Sequence, residues 1–367
     1  MQRREEENLT MRALYLLAIL FVVDGHLPLP DLLDFGGLFG YYSFHLLLFA
    51  FGSGYFFRLY GAPLQDVCHR AKKLLVPLYA WNLLYGLLAA VLRRFGGFTL
   101  GAPLSPHTLL LAPVSDGEHF VWNLGAWYLF PLFAAQVLYA GIRRIPGRLG
   151  KDERAAFLLC LAAGMAAEAL FHSGTNRPLW LLRTLFLLPG YAGGVLYRER
   201  LEKRDTLATL PYLSGLVLAR ALLLACCGSL SYLLSSGTYF GQGPVVTFLG
   251  AALAVAFWVR IARIIAPAVA KCRPALFAAR HTMDIMMHHY MGFFAFNLVF
   301  LFLNKFGIAA QDFSVSAFRS QSGYVYAPGN AAGFTVLYLL WALALSLGLA
   351  WLRERAMRRL RAKPSGT

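Results

Sequence analysis

The amino-acid sequence predicts an all-α, polytopic membrane protein with about ten transmembrane helices and both termini in the cytoplasm. Three observations lead to this fold class. Hydrophobic residues make up 58% of the 367 residues and charged residues only 14%, which leaves too few polar side chains to cover a water-soluble globule of this size. Apolar segments long enough to cross a bilayer recur along the chain, and basic residues cluster in alternate turns between them.

The apolar segments predict the number of helices, because a bilayer-spanning helix needs roughly 20 mostly apolar residues. About ten segments meet this length, at residues 12–30, 40–58, 73–94, 124–142, 154–172, 178–198, 209–233, 244–266, 280–303 and 333–353. Residues 1–367 are therefore expected to form a single integral-membrane domain. It consists of a helical bundle over 10–353 and a basic cytoplasmic tail over 354–367.

The basic residues predict the orientation of the bundle. With the amino terminus inside, 27 of the 34 Lys and Arg residues fall in inner segments and only five in outer loops. Because positively charged segments stay in the cytoplasm, both termini are predicted to be cytoplasmic, in the plasma (inner) membrane of the cell. The net charge of +16 follows from this topology and from attraction to anionic lipids, so no nucleic-acid partner is expected.

Two predicted outer loops are long, at about 95–123 and 304–332. The first contains the apolar stretch Leu109 to Leu111, which is too short to span and is expected to re-enter the membrane or to lie in the interface. The second is rich in Ser, Gly and Tyr, which is typical of a solvent-facing lid or an acceptor surface.

His26 is the first ionisable candidate inside a predicted span. About 14 residues beyond Arg12, or roughly 21 Å along a helix, it lies in the outer half of the first span. A neutral imidazole there can accept a proton from a hydroxyl, as a general base must. The alternative is an interfacial histidine satisfied by a backbone carbonyl. Asp24, two positions earlier, lies on a different helix face and is not an obvious partner of His26.

The ninth span carries a second group of polar residues. Asp284 and His288 share one helix face at i, i+4, and His289 is rotated by about 100° from His288. The ligand spacing of a closed metal site is missing, so no metal is predicted.

Three other buried charges are open to interpretation. Glu168 and Arg183 both fall near the outer end of their spans, where they are expected to form a structural ion pair. Arg220, near the middle of the seventh span, is expected to bind either an anion or a carboxylate such as Asp284.

Arg70 and Lys73 mark the inner mouth of the bundle. Three residues apart, they project from one face of a helix towards the head-group level, an arrangement that suits a grip on phosphates. The alternative is that they are ordinary flanking charges of a cytoplasmic turn.

Five landmarks in this order resemble the acyltransferase 3 membrane family, particularly its fucose 4-O-acetylase-like branch. They are His26, the run that ends in Ser53-Gly54-Tyr55-Phe56, the basic pair Arg70 and Lys73 ahead of Pro77, the element Trp127-Tyr128-Leu129, and the segment from His281-Thr282 through Ile285 to His289. Lys73 stands where the family usually has a second arginine, and His281 where the branch usually has Asn. The extracellular hydrolase-like domain of some relatives has no counterpart in this sequence.

The resemblance implies a membrane O-acyltransferase that carries an acyl group, with acetyl favoured, from cytoplasmic acyl-CoA to a hydroxyl of a cell-surface or lipid-linked glycan. The resemblance, read with the charges at the inner mouth, assigns acetyl-CoA (or another acyl-CoA) to Arg70, Lys72, Lys73 and Ser53. His26 is expected to act as the general base, and the donor for the oxyanion is left open among Tyr55, Asn82, Trp127 and His289.

The alternative function is a polytopic transporter or flippase for a polysaccharide or a lipid-linked sugar, since a bundle with buried charges also suits transport. Inverted repeats would favour a transporter, and the spacing of the two halves shows none.

Overall fold

The computed structural model describes residues 8–115, 120–172, 178–237, 239–240, 242–330 and 332–362. These residues are mainly helical and contain almost no strand, as the sequence predicts. The α-helices are α1 (Leu9–Gly25), α2 (His45–Tyr55), α3 (Pro63–Phe95), α4 (Ala112–Ser115), α5 (Leu129–Ile142), α6 (Arg148–Lys151), α7 (Glu153–His172), α8 (Leu179–Leu196), α9 (Thr209–Cys227), α10 (Pro244–Lys271), α11 (Arg273–Arg280), α12 (Thr282–Lys305), α13 (Val315–Ser320) and α14 (Ala332–Ala362).

Shorter elements complete the description. Single 3₁₀ or π turns lie at Tyr41–Ser43, His107–Leu111, Val121–Tyr128, Tyr197–Leu201, Glu202–Arg204 and Pro328–Asn330. Two short antiparallel strands, β1 (Tyr232–Leu233) and β2 (Tyr239–Phe240), follow α9. The predicted seventh span therefore ends early, because Gly228 adopts φ +71° and turns the chain out of the helix at Cys227.

Seven helices in the described part of the chain are long and apolar enough to cross a membrane, so the fold is that of a multi-pass membrane protein. They lie within Pro63–Phe95, Val121–Ile142, Leu179–Arg204, Thr209–Cys227, Pro244–Lys271, Thr282–Lys305 and Gly333–Arg359. The other three predicted spans contain α1, α2 and α7, of 17, 11 and 20 residues. The count of ten spans and the cytoplasmic termini remain predictions. Residues 354–362 of the predicted tail continue α14, and residues 363–367 lie outside the described residues.

The two predicted outer loops meet at one end of the bundle, here called the loop end. The backbone N–H of Thr99 donates to the carbonyl of Arg319 across 2.8 Å, which joins them directly. Asn82 of α3 donates to the carbonyls of Thr108 and Leu109, so the apolar stretch of the first loop is tied to a transmembrane helix. Residues 116–119 and 331 of these loops lie outside the described residues.

The second loop is tied down at Tyr326. Its backbone N–H donates to Asn297 and to the Tyr338 hydroxyl, and its own hydroxyl donates to Asp312 across 2.5 Å. The bond to the Asp312 carboxylate, helped by burial, raises the pKa of Tyr326 to about 12. The phenol therefore stays protonated at neutral pH and keeps the loop folded over the bundle.

Helices α2 and α8 touch backbone to backbone through glycines. A Cβ atom at Gly54 would lie 1.8 Å from the carbonyl oxygen of Tyr191, and one at Gly194 would lie 2.0 Å from the carbonyl oxygen of Phe51. Small residues of this kind let membrane helices approach closely, and here the contact sets the position of the whole α2 segment.

We expect Gly54→Ala to destabilise the bundle by about 1–3 kcal/mol or more, because neither helix backbone can move away without disturbing its neighbours. The free energy of unfolding can be measured by titration with a denaturing detergent. Gly215→Ala on α9 is the matched control, since no atom lies within 4 Å of the added methyl group there. Equal stability of the two variants would contradict the close contact between α2 and α8.

Candidate functional site

A cavity of about 670 Å³, here called the basic cavity, opens among α1, α2, α3, α5, α8 and α12 at the end of the bundle opposite the loop end. Six basic side chains line it: Arg12, Arg58, His69, Arg70, Lys73 and Arg280. None of the described lining residues is an Asp or a Glu. A cavity with this surplus of positive charge is built for an anion with several charges, such as a polyphosphate.

Two of the predicted cofactor residues have different roles in this cavity. Arg70 is only 4% exposed, and its guanidinium is held by Asp66 at 2.9 Å and by the carbonyl of Arg58 at 2.7 Å. Lys73 packs 5.5 Å from the centre of the Tyr60 ring and lines the cavity. Arg70 therefore shapes the wall, whereas the Lys73 ammonium is the more available cation.

Of the other two predicted cofactor residues, Ser53 lies at the basic cavity and Lys72 does not. Ser53 lines the basic cavity, and its hydroxyl accepts a hydrogen bond from Gln136 across 2.9 Å. Lys72 is exposed and does not line the cavity, because it lies next to Lys73 on a helix and so points about 100° away. The structure thus brings Ser53, Arg70 and Lys73 together and leaves Lys72 outside.

A second, much smaller cavity of about 50 Å³, here called the imidazole chamber, contains His26. Its remaining described lining residues are Val22, Tyr42, His45, Leu46, Phe49, Gly125, Trp127, Tyr128, Leu233, Leu234, Ser235 and Met286. Phe49, Tyr128 and Met286 also line the basic cavity. The two spaces are therefore neighbours, and these three shared side chains, here called the neck, stand between them.

A third cavity, of about 30 Å³, lies on the far side of His26 and is here called the loop cavity. Its walls include Trp122, Tyr290, Asn297 and Tyr324, and the last belongs to the second outer loop. His26 is the residue that lines both the imidazole chamber and the loop cavity. The cavities thus form a series that runs from the basic end, past the imidazole, to the loop end.

The tautomer of His26 follows from its hydrogen bonds. Nδ1 of His289 lies 3.1 Å from the carbonyl of Ile285 and 2.9 Å from that of Met286, so this nitrogen carries the proton and donates. Nε2 of neutral His289 is then an acceptor, and it lies 2.9 Å from Nδ1 of His26. His26 must therefore donate through Nδ1, which leaves a lone pair on its Nε2.

The free nitrogen of His26 is the chemical centre of the site. No described residue forms a hydrogen bond with His26 Nε2, and the ring borders both the imidazole chamber and the loop cavity. The His26 and His289 rings lie nearly coplanar and edge to edge across this hydrogen bond, with centroids 5.0 Å apart and an angle of 10° between their planes. Gly125 allows this packing, since a Cβ atom there would lie 3.1 Å from Cε1 of His289.

Asp24 does not orient His26. Its carboxylate accepts the backbone N–H groups of Leu32 and Leu33, at 3.0 Å for the closest oxygens, and so anchors the turn that follows α1. This agrees with its predicted placement on a different helix face.

The predicted oxyanion donors are spread over the molecule. The Tyr55 hydroxyl lies at the basic end, where it contacts Glu202 at 2.8 Å and Asn8 at 2.7 Å. The Asn82 amide donates to the first outer loop. Trp127 lines the imidazole chamber, held by the Arg183 guanidinium 5.0 Å from its ring. Of the four candidates, only Trp127 and His289 therefore reach His26, and His289 already uses both of its nitrogens.

The polar residues of α12 other than His289 are occupied by protein partners. Asp284 binds Arg353 of α14 through two oxygens, at 2.5 and 2.9 Å, and accepts from His281 at 2.9 Å. Nδ1 of His288 lies 2.6 Å from the Tyr85 hydroxyl. These contacts join α12 to α3 and α14 and so hold the helix that carries His289.

The predicted ion pair between Glu168 and Arg183 is wrong. Glu168 accepts from the Thr247 hydroxyl at 2.6 Å, and Arg183 donates to the carbonyls of Leu234 and Ser235. Glu168 on α7 and Arg183 on α8 lie at a similar depth in the bundle, but their side chains contact different neighbours.

Arg220 does not pair with Asp284, because its guanidinium is bound by other parts of the protein. It is the one buried residue of α9 and donates to the carbonyls of Leu38 and Gly250 and to the Ser43 hydroxyl. These bonds anchor α9 and the chain segment that leads into α2.

Four residues of the site were not predicted as candidates: Arg12, His45, Arg58 and Arg280. His45 is 4% exposed and donates through Nδ1 to the carbonyl of Tyr41 at 2.5 Å, so its Nε2 is an acceptor that faces the chamber wall. An imidazole inside an apolar run, the signal that singled out His26, could also have found it. The three arginines had been assigned only to the general excess of positive charge at the inner side.

No family model, curated protein or solved structure matches this chain. Three features of the site itself bear on its chemistry. They are a cavity lined by cations, a small chamber beside it, and an imidazole of defined tautomer between that chamber and the outer loops.

Proposed function

We propose that the protein is a membrane O-acyltransferase that moves an acetyl group from acetyl-CoA to a hydroxyl of a cell-surface or lipid-linked glycan. The observation that carries the proposal is the series of cavities, in which a cavity lined by cations and a chamber that holds a free imidazole nitrogen share three lining side chains. A general base needs both an unoccupied lone pair and access to the reacting hydroxyl. His26 Nε2 has the first, and its place between chamber and loop cavity supports the second.

The donor end suits coenzyme A because phosphates cannot enter hydrocarbon and need cations at the bundle surface. In this mechanism, the phosphates bind in the basic cavity near Lys73 and Arg280. The thin pantetheine arm then passes the neck of Phe49, Tyr128 and Met286 and carries the thioester into the imidazole chamber. The glycan hydroxyl approaches His26 from the loop cavity.

His26 alone carries out both proton transfers of the proposed reaction. His26 Nε2 takes the proton of the acceptor hydroxyl while the hydroxyl oxygen attacks the thioester carbonyl carbon. The C–S bond of the tetrahedral intermediate then breaks, and the departing thiolate takes the proton back from His26. The His26 Nδ1–H bond to His289 is retained throughout and strengthens while His26 is positively charged. Trp127 Nε1–H, which has no hydrogen-bond acceptor among the described residues, is the proposed donor to the oxyanion.

The size of the imidazole chamber supports acetyl as the acyl group. Its volume of about 50 Å³ leaves room for a group of a few atoms, and Val22, Leu46 and Leu234 give it apolar walls. A succinyl group would bring its free carboxylate against these side chains, which is unfavourable without a charged partner.

The proposal is tested by incubating the purified protein with acetyl-CoA labelled in the acetyl group and with the surface glycan of the native cell. Release of the coenzyme A thiol together with labelled ester on the glycan is the expected result. A transporter or flippase would show neither the ester nor saturable binding of coenzyme A, so that outcome would overturn the proposal.

We expect Leu46→Ala to extend the range of acyl donors to propionyl- and butyryl-CoA, because it removes three carbon atoms from the chamber wall. The relative kcat/KM for acetyl-, propionyl- and butyryl-CoA is the measurement. Leu48→Ala, on the same helix and equally buried but outside the chamber, is the control that loses stability without changing acyl preference. An unchanged preference in Leu46→Ala would show that the chamber does not hold the acyl group.

A further inference from the structure

An apolar cavity of about 640 Å³ lies between the pair α7 and α8 and the pair α9 and α10, and it plays no part in the proposed reaction. Its walls are formed by side chains such as Phe157, Leu161, Pro189, Phe248 and Val255. None of its described lining residues belongs to the basic cavity or the imidazole chamber. A volume of this size is in the range of ligand sites rather than of packing defects.

The rim of this apolar cavity is charged on one side. Arg204 and Asp205 line it where the chain leaves α8. Asp205 is already neutralised, since it accepts a hydrogen bond from Arg260 and lies 3.6 Å from Arg263. Arg204 has no ion-pair or side-chain hydrogen-bond partner among the described residues. Because Arg260 and Arg263, which do not line the cavity themselves, balance the charge of Asp205, Arg204 leaves the rim with a net positive charge.

Two tyrosines also line the rim. The Tyr197 hydroxyl donates to Asp205 across 3.4 Å, and the ring of Tyr212 packs against the Arg260 guanidinium, 4.2 Å from its centroid. An arginine with tyrosines beside it, above an apolar crevice, matches a molecule with a phosphate at one end and a hydrocarbon chain at the other.

We propose that this cavity is a binding site for an anionic phospholipid, with an acyl chain between the two helix pairs and the phosphate on Arg204. The bilayer supplies this ligand directly. Most of the wall comes from α7, α8 and α10, and α9 contributes Tyr212. Arg220 is the one buried residue of α9, so the cavity lies beside a helix that faces lipid along much of its length. A bound acyl chain gives the apolar side chains of α7, α8 and α10 a partner where protein side chains leave the cavity open.

The proposal is distinct from ordinary contact with surrounding lipid because it requires one specific charge. Lys203 precedes Arg204, is exposed at the same end of the bundle and does not line the cavity. Charge reversal at either position changes the general attraction to anionic lipids equally. Only Arg204→Glu places a negative charge against the phosphate of a lipid in the cavity.

The experiment measures phospholipid that stays bound to the full-length protein purified from its native membrane in mild detergent. Native mass spectrometry and lipid extraction count the molecules retained, and nanodiscs of phosphatidylcholine with or without phosphatidylglycerol give the effect of the head group on Tm. We expect the unmodified protein and Lys203→Glu to retain anionic lipid and to show a higher Tm with phosphatidylglycerol. Arg204→Glu is expected to retain at least about fivefold less of it.

A second variant tests the hydrocarbon part of the site. Ala256 lines the cavity, so Ala256→Phe fills it and is expected to lower the retention of the lipid without any change of charge. Equal losses in Arg204→Glu and Lys203→Glu, retention of anionic lipid in all variants, or preferential retention of a zwitterionic or polyprenyl lipid would each overturn the proposal. These readouts do not depend on acyl transfer and stand if the proposed enzyme activity fails.

Discussion

Replacing His26 by alanine is expected to lower acetyl transfer by about 10²–10⁴-fold while leaving the binding of coenzyme A unchanged. The loss follows from the removal of the lone pair on Nε2, which no other residue of the imidazole chamber presents next to both the chamber and the loop cavity. Binding is expected to persist because the cations proposed to hold the phosphates line the basic cavity, beyond the neck. The rate of thiol release and the Kd for coenzyme A are the two measurements.

Three further variants separate the base from general damage to the site. His289→Ala removes the acceptor for His26 Nδ1–H, so the proton of His26 is no longer held on Nδ1. The imidazole of His26 itself is kept. Its rate is expected to fall between those of His26→Ala and the unmodified protein, and its pH profile should change shape. His45→Ala tests the second acceptor imidazole in the chamber. His107→Ala, at an exposed position outside the three cavities, should have no effect.

Full activity in His26→Ala would exclude this imidazole as the base. A loss of coenzyme A binding in the same variant would place the cofactor against the ring rather than beyond the neck. Either result would require a different arrangement of donor and base.

The sequence identified both His26 and His289 as candidates but did not predict the hydrogen bond between them. His26 and His289 stand 263 residues apart, and only the packing of α1 against α12 brings their nitrogens to 2.9 Å. The oxyanion role predicted for His289 did not consider that both its nitrogens could be engaged. Hydrogen-bond donors and acceptors must be counted in three dimensions, and a spacing pattern cannot supply that count.

Hydropathy predicted where helices lie better than where they end. The first helix stops at Gly25 rather than near residue 30, because Pro28 and Pro30 cannot continue it. The second is a helix of only 11 residues preceded by the 3₁₀ turn Tyr41–Ser43, although the apolar run is longer. An apolar segment reports burial in hydrocarbon or protein, and its local backbone depends on contacts such as those of Arg220 with Leu38 and Ser43.

The partners of the buried charged residues were the least predictable feature of the structure. Glu168 and Arg183 were paired from their depth in the bundle, yet depth does not tell which way a side chain points around the helix axis. Asp284 found its partner in Arg353, which had been assigned to the inner flank of the last span. In both cases the missing information is the rotation of one helix against another.

Lys73→Glu is expected to weaken the binding of coenzyme A about tenfold, equivalent to about 1.4 kcal/mol, whereas Lys72→Glu should change it less than about twofold. The two lysines are adjacent, carry the same charge and lie at the same end of α3. Only Lys73 lines the basic cavity. The difference in coenzyme A affinity between the two variants therefore measures contact with the phosphates. The long-range electrostatic effect of the basic end is the same in both variants and cancels.

Equilibrium binding of coenzyme A at low and moderate ionic strength is the measurement, and the difference between the two variants should shrink as salt screens the charge. Dephosphocoenzyme A, which lacks the ribose phosphate, shows whether Lys73 contacts that group or the diphosphate. If Lys72→Glu weakens binding as much as Lys73→Glu, the effect is non-specific attraction at the membrane surface. If neither variant changes it, the phosphates do not bind in the basic cavity, and the thioester then has no route to His26 through the neck of Phe49, Tyr128 and Met286.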